Sequence, residues 1–180
     1  YSTYQLASLY FFADEYKDQE KGLWYLEEAI KQNYADALIC KANLHLGGNI
    51  LEQDIPKAME LYKQAMTEGS GYGAYRLGYI YEQGLLTGEN DYVTALSYYE
   101  KAAEMGDIYG HEMAGRYNLM GFAGEENVEK ALQYYTRGAE MGSAYCMVEL
   151  AFMYQQGNGV EENDEKAFEF ILNATQREYD

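Results

Sequence analysis

Apolar and small residues recur along the chain at a helical period and are interrupted by glycines and acidic loops. In one segment Leu77, Gly78 and Tyr81 fall on the same helix face, because Tyr81 follows the other two by four and three positions. This helix is predicted to end at Gly84, since glycine readily adopts the left-handed conformation found at helix C-termini. After a polar loop, Asp91 is a good N-cap for a second helix. The pattern therefore predicts two helices joined by an acidic loop.

The same two-helix pattern recurs along the whole chain. Small residues near the end of each second helix are separated by 36 or 37 residues and are Ala29, Ala65, Ala102, Gly138 and Ala174. In the third pair, Gly78 and Ala95 are small residues at the predicted helix crossing. Because one pair cannot bury its apolar face alone, neighbouring pairs must stack. The sequence predicts a single all-α domain, residues 1–180, of ten antiparallel helices in five two-helix repeats with approximate bounds 1–33, 34–69, 70–106, 107–142 and 143–178.

Loop and helix motifs carry a resemblance to a known family. The segment 157–167 reads Gly-Asn-Gly-Val-Glu-Glu-Asn-Asp-Glu-Lys-Ala, and the pairs Leu-Gly at 77–78, Tyr-Tyr at 98–99 and Ala-Ala at 102–103 complete the pattern. The chain resembles the Sel1-like repeat (SLR) family of the tetratricopeptide superfamily. That resemblance implies a right-handed α/α superhelix, or solenoid, that acts as an interaction scaffold or adaptor without a reaction of its own. Bacterial members include regulators, host-interaction factors and secretion-associated immunity proteins.

Composition excludes several kinds of partner. With 13 Lys+Arg against 30 Asp+Glu the net charge is −17, so a nucleic-acid phosphate backbone is a poor partner. No apolar run approaches the roughly 18 residues of a membrane span, and the first residues show no signal peptide. The two cysteines, Cys40 and Cys146, lie three repeats apart, too far for a disulfide. This favours a reducing compartment such as the cytoplasm, with a periplasmic or secreted location left open.

The sequence shows no arrangement of residues typical of catalysis or metal binding. His45 occupies the repeat position of Tyr81, which favours a packed histidine over a catalytic one. The string His-Glu-Met-Ala-Gly at 111–115 begins like a zincin motif but has no second histidine. The glycine-rich segment 69–73 follows a helix rather than a strand and lacks the lysine of a phosphate loop. The sequence therefore predicts a non-enzymatic protein with no cofactor and no metal.

A column of tyrosines is the most informative feature. In tetratricopeptide-like arrays the first helices line the concave face, and the inward slots lie five and two residues before the Leu77 position and two, five and six after it. Applied here, this rule from the resemblance places a tyrosine at one slot in four of the five repeats. The predicted partner-binding residues on this face are Tyr1, Tyr4, Phe11, Phe12, Ile39, Asn43, Leu46, Tyr72, Tyr75, Tyr79, Tyr109, Glu112, Arg116, Met120, Tyr145, Val148 and Phe152.

The column has two interpretations, and so does the function. The tyrosine rings either seal the seams between repeats or contact a ligand. Arg116 either meets a partner carboxylate or pairs with Glu112 four residues earlier. The first function is a scaffold that holds a polypeptide segment in a tyrosine-rich concave groove, such as a regulator or an immunity-type inhibitor. The alternative is a domain that binds a small molecule or a glycan in the same groove.

Charge and the chain ends suggest what the partner is. Because the chain is strongly acidic, a protein or peptide partner is predicted to carry Lys or Arg on either side of its apolar anchors. The terminal helices also lack a polar outer face, which terminal repeats normally present. We therefore predict end-to-end self-association or a missing flanking segment, on the basis of the apolar residues Phe11, Phe12, Phe168, Phe170 and Ile171.

Overall fold

The computed structural model describes residues 3–12 and 18–177, with side chains described for 5–11 and 18–177. These residues form helices and turns and contain no strand. The helices are α1 (Thr3–Phe12), α2 (Gln19–Lys31), α3 (Ala35–Gly47), α4 (Ile55–Thr67), α5 (Gly71–Glu82), α6 (Tyr92–Glu104), α7 (Ile108–Met120), α8 (Val128–Glu140), α9 (Ala144–Gln156) and α10 (Asp164–Arg177). Each helix packs mainly on its neighbours in the chain, as in a superhelix of stacked helix pairs. The predicted all-α fold is confirmed.

Side-chain caps start the second helix of each pair. Asp54 and Asp91 each accept a hydrogen bond at 2.9 Å from the backbone N–H three residues later, and Asn127 does the same. In the last pair the acceptor is Asn163, and it caps the N–H of Lys166 at 2.9 Å. These bonds satisfy backbone donors that a helix N-terminus otherwise leaves unpaired. The caps therefore fix where each second helix begins.

The third and fourth pairs are closed by a tyrosine that lies on a glycine. A Cβ atom added to Gly78 would lie 2.6 Å from the Tyr99 ring, and one added to Gly115 would lie 2.5 Å from the Tyr135 ring. Both tyrosines are completely buried, with 0% of their surface exposed. A Cβ added to Gly78 would also lie only 3.1 Å from the Ala95 carbonyl oxygen, at the helix crossing predicted from the sequence. The missing glycine side chain is therefore the space that the tyrosine ring fills.

The first pair reverses this arrangement, and one predicted site residue is wrong as a result. Gly22 lies on the second helix, and the Phe11 ring of the first helix fills its space, 2.6 Å from where a Cβ would be. Phe11 is only 3% exposed and packs in a core cluster with Leu26, so it does not face a partner. Three more predicted residues cannot be placed, because Tyr1 and the side chains of Tyr4 and Phe12 lie outside the described residues.

The last helix exposes apolar side chains at the end of the superhelix. Phe168 is 69% exposed and Ile171, at the repeat position of the buried Tyr135, is 38% exposed. Phe170 is covered in part, because its ring stacks on Tyr154 at 5.8 Å. End-to-end self-association through this face, or a missing flanking segment that covers it, stays a prediction.

Substituting Gly78 with alanine tests the packing of a tyrosine on a glycine. The new methyl group must displace the buried Tyr99 ring, and overpacking of this kind costs about 1–3 kcal/mol. For a chain of this size that lowers the melting temperature by about 2–12 °C, measurable by circular dichroism. Gly47→Ala is the matched control, because it is exposed, at the end of α3, and its nearest atom (Nδ2 of Asn49) is 3.7 Å away. The control should melt at or slightly above the parent temperature. Equal melting of the two variants would contradict the tight contact.

Candidate functional site

The first helices of the repeats carry the predicted partner-binding residues. In the third to fifth repeats the first helices contact each other directly, α5 with α7 and α7 with α9. The predicted side chains that are exposed or half-buried on the first helices are Ile39, Asn43, Leu46, Tyr72, Tyr75, Tyr79, Tyr109, Glu112, Arg116, Met120, Tyr145, Val148 and Phe152. The family rule for inward slots thus selects accessible positions in the second to fifth repeats.

Four tyrosines form a surface across the third and fourth repeats, here named the aromatic stripe: Tyr72, Tyr75, Tyr79 and Tyr109. The Tyr109 ring centroid lies 6.1 Å from that of Tyr72 and 5.2 Å from that of Tyr75, so these contacts cross the seam between α5 and α7. Tyr109 nevertheless remains 48% exposed, and Tyr79 remains 36% exposed. The stripe both seals a seam and presents ring surface outward. The two interpretations of the tyrosine column therefore do not exclude each other.

An arginine that sequence analysis missed lies beside the aromatic stripe. The Arg76 guanidinium carbon is 5.5 Å, 5.9 Å and 5.6 Å from the ring centroids of Tyr62, Tyr72 and Tyr79. Its Nη1 donates a hydrogen bond to the Tyr72 hydroxyl at 3.2 Å. The helical spacing contained a signal for it, since Arg76 follows Tyr72 by four residues and precedes Tyr79 by three. Arg76 joins Tyr79 to the rest of the stripe and links it to the second repeat.

A hollow opens next to this arginine, between the second and third repeats. Its volume is about 430 Å³, within the range of sites that bind side chains or small ligands. Its walls are apolar or aromatic apart from one arginine and one glutamine, and they are Leu46, Gln53, Tyr72, Tyr75, Arg76, Tyr79 and Leu85. Three residues of the aromatic stripe therefore form one side of a cavity, and the predicted Leu46 forms another.

Two carboxylates also lie close to the aromatic stripe. Glu82 accepts a hydrogen bond from the Tyr99 hydroxyl at 2.7 Å, and Glu112 accepts one from the Ser143 hydroxyl at 2.5 Å. Burial raises the pKa of Glu112 above its ordinary value. Burial is also the main reason that the pKa of Tyr75 is raised, and Glu82 and Glu112 contribute to the same shift. Groups of both signs therefore border the stripe.

The local salt bridge considered for Arg116 does not form. The described residues contain no ion pair between Arg116 and Glu112, whose carboxylate is held by Ser143 instead. The Arg116 guanidinium lies 5.6 Å from the centroid of the Phe122 ring. Arg116 is exposed, so its charge remains accessible to solvent or to a partner.

Other predicted residues stand apart from the aromatic stripe. Tyr145 is 40% exposed, and its ring contact among the described residues is with Tyr135 at 6.2 Å, across the seam between the fourth and fifth repeats. Met120 and Phe152 are 54% and 49% exposed. Asn43 is engaged within the fold, because its side-chain oxygen accepts a hydrogen bond from a buried tyrosine hydroxyl at 2.5 Å. The structure thus brings together the third- and fourth-repeat residues rather than the whole predicted set.

The repeat pattern matches a family model over nearly the whole chain. The model is that of the Sel1 repeat, and it matches residues 1–34, 39–70, 71–107, 109–143 and 144–177. The chain belongs to the Sel1 repeat family. This confirms the resemblance seen in the sequence. Sel1 repeat proteins are generally protein-interaction scaffolds, and their fold is typically non-enzymatic.

Solved structures of Sel1 repeat proteins share the fold. A Sel1 repeat protein from Oxalobacter formigenes matches with a TM-score of 0.85 at 23% identity, over 97% of this chain and 71% of that one. A protective antigen of uropathogenic Escherichia coli with an SLR fold matches with a TM-score of 0.83 at 25% identity, over 97% of this chain but only 38% of the antigen. An immunity protein from Pseudomonas aeruginosa matches with a TM-score of 0.62 at 22% identity, over 96% and 63%.

The two cysteines of this Sel1 repeat chain lie in or against its core clusters. Cys40 and Cys146 are free thiols, and burial raises their pKa to about 11 and about 12, so both are protonated at neutral pH.

Within residues 3–12 and 18–177, no group of three or more His, Cys, Asp or Glu side chains is placed to hold a metal ion. No helix of the described part is long and apolar enough to cross a membrane.

One histidine of this Sel1 repeat protein is buried, and it makes stability depend on pH. His111 is 7% exposed, and its Nδ1 has no hydrogen-bond partner among the described residues. Burial lowers its pKa below the ordinary value, and Arg137 adds to the effect. The unfolded chain therefore binds a proton at His111 more readily than the folded chain does.

Because of His111, the free energy of unfolding should fall as the pH falls from about 7 to 5. We expect His111→Leu to reduce the slope of the unfolding free energy against pH by up to about 1.4 kcal/mol per pH unit, measured by urea unfolding. Asp107 and Glu112 oppose this trend, because burial raises their pKa values and the folded chain then holds those protons more readily. The comparison with the parent chain isolates the histidine. His45→Gln, which removes the other histidine, is the control. Identical slopes for the parent and His111→Leu would show that His111 does not charge on unfolding.

Proposed function

We propose that this protein is a non-enzymatic scaffold that binds a polypeptide segment along the aromatic stripe and the adjoining side chains of the first helices. The carrying observation is that the Tyr109 ring contacts Tyr72 and Tyr75 across a repeat seam and is still 48% exposed. Aromatic side chains with a buried edge and an open face are pre-organised, so a ligand orders them at little entropic cost. A surface of this kind beside a hollow suits a peptide with apolar anchors.

The net charge bears on the rest of the partner. At −17 the chain creates a negative potential that attracts Lys and Arg side chains and speeds their encounter. Such long-range attraction raises the association rate more than the final affinity. Apolar anchors supply the affinity instead, at roughly 25 cal/mol per Å² of buried apolar surface. The proposed partner segment therefore has aromatic or aliphatic anchors with basic residues on either side.

A narrower role is also part of the proposal. An immunity protein from Pseudomonas aeruginosa shares the fold over 96% of this chain and 63% of that protein. An immunity-type inhibitor or regulator is a scaffold whose partner is another protein and which needs no catalytic residue of its own. The likeness supports this role as a specific form of the scaffold function.

A small-molecule or glycan ligand is the alternative, favoured by the hollow alone. The hollow has a volume of about 430 Å³, and a sugar can stack on its three tyrosine rings. The peptide function is preferred because the exposed ring surface continues beyond the hollow to Tyr109 in the next repeat. Binding to an array of immobilised glycans distinguishes the two functions. The peptide function predicts no glycan binding that depends on Tyr109, whereas the glycan function predicts binding in the hollow.

Tyr109→Ala tests the aromatic stripe. Peptides selected from a random displayed library on the immobilised chain should lose about 30-fold or more in affinity, as expected for an aromatic anchor. Most of the loss should appear as faster dissociation in surface plasmon resonance. Tyr34→Ala is the matched control, because Tyr34 is 44% exposed but precedes α3, away from the stripe, and it should change affinity by less than about threefold.

The competing seam interpretation predicts a different result for the same variant. If Tyr109 only joins repeats, Tyr109→Ala should lower the melting temperature and leave the affinity per folded molecule unchanged. That outcome would remove the stripe as a binding surface.

A further inference from the structure

Arg76 is a half-buried cation that forms no salt bridge with any carboxylate of residues 3–12 and 18–177. Every salt bridge among the described residues joins another lysine or arginine to an acidic side chain, although acidic residues outnumber basic ones by 30 to 13 in the whole chain. Arg76 is half-buried, and its one hydrogen bond among these residues goes to the Tyr72 hydroxyl at 3.2 Å. A guanidinium carries five N–H donors, so most of its donors have no protein acceptor.

Three tyrosine rings hold this guanidinium in place. Tyr62 belongs to the second repeat, and Tyr72 and Tyr79 belong to the third, all with ring centroids 5.5–5.9 Å from the guanidinium carbon. Ring faces attract a cation but offer no lone pair in the plane of its N–H groups. The charge is therefore positioned by the protein while its directional hydrogen bonds remain available. A carboxylate, which pairs with a guanidinium through two parallel hydrogen bonds, is the group that fits this arrangement.

The hollow gives such a carboxylate a place to bind. Arg76 lines the cavity of about 430 Å³, and the apolar walls at Leu46 and Leu85 can contact the methylene groups of a glutamate. Gln53 also lines it, and one N–H of its side-chain amide donates to the Leu46 carbonyl at 3.0 Å, which leaves the second N–H of that amide as a donor for a carboxylate. Apolar and aromatic walls displace water, which strengthens an ion pair formed inside.

We propose that Arg76 is a recognition residue for the side-chain carboxylate of a glutamate or aspartate in the bound peptide segment. This inference rests on the proposed scaffold function and names what the segment must contain. A side chain is favoured over a C-terminal carboxylate because accessible apolar positions continue on both sides of the hollow, from Ile39 in the second repeat to Tyr109 in the fourth. A segment following those positions passes through the hollow rather than ending there.

The net charge makes this recognition selective. An acidic segment as a whole is repelled by a chain of net charge −17. One carboxylate among basic neighbours is attracted overall and can then pair with Arg76 at the hollow. The specified partner is therefore a mostly basic segment with one acidic residue next to an aromatic or aliphatic anchor.

The test compares peptides from the random displayed library against matched variants of the chain. Peptides selected on the parent chain should share an acidic residue at one fixed distance from their apolar anchor. Replacing that residue with its amide should weaken binding to the parent at least tenfold but weaken binding to Arg76→Gln less than twofold. Arg137→Gln is the control, because Arg137 lies on the second helix α8, outside the proposed surface, and pairs with Glu140, and it should behave like the parent. Arg76→Lys keeps the charge without the two-pronged geometry and should recover only part of the affinity.

The outcomes separate this inference from the function on which it rests. If selected peptides depend on Tyr109 but share no acidic residue, the scaffold function stands and the role of Arg76 is wrong. The same conclusion follows if replacing the acidic residue with its amide weakens binding to Arg76→Gln as much as binding to the parent. If amidation of the peptide C-terminus abolishes binding, the side-chain assignment is wrong. If no peptide is selected, the proposed function itself fails. Circular dichroism melting shows whether Arg76→Gln is folded, and Arg76→Lys supplies the same comparison if it is not.

Discussion

The contact of a buried tyrosine with a glycine on the partner helix determines how the inner repeats are assembled. Tyr99 on Gly78 and Tyr135 on Gly115 bring the two helices of each pair so close that no side chain fits between ring and backbone. Complete burial of these large rings provides much of the apolar surface that a short helix pair must remove from water. The spacing and tilt of the first helices follow from this closure. The positions of the aromatic stripe depend on it in turn.

The aromatic stripe combines cohesion with accessibility because tyrosine is amphipathic. Ring edges and faces pack on each other across the seam, while hydroxyl groups and outer faces remain in contact with solvent. Arg76 extends the same principle, since its charge is held by ring faces rather than by an acidic neighbour. In a chain with so many carboxylates, this is an unusual way to hold a cation. It leaves the hollow with a positive group that the overall charge does not reveal.

Much of this architecture was predictable from the sequence, and the exceptions have physical causes. The period of small residues identified the repeats because each of these residues is buried where helices pack closely, and the N-cap at Asp91 identified a helix start because capping is a local backbone requirement. Phe11 was misplaced because the inward-slot rule assumes the same helix rotation in every repeat, whereas Gly22 in α2 lets that ring turn into the core. Arg76 was missed because the rule follows the direction of Cβ and not the reach of a long side chain over the preceding repeat. The burial of Tyr99 and Tyr135 required knowledge of which ring faced which glycine, which depends on packing between helices.

The seam contacts of Tyr109 also have a consequence for how such an array can change over time. The complete stripe exists only where the third and fourth repeats are docked, because Tyr109 belongs to the fourth repeat and the other three tyrosines belong to the third. A substitution at this position alters the mechanical coupling of neighbouring repeats together with whatever the surface recognises. Duplicating or deleting a repeat creates or removes a whole recognition surface in one step, whereas gradual change at the seam is constrained by the need to keep the array stiff. New specificity is therefore easier to gain by exchanging repeats than by altering the rings that join them.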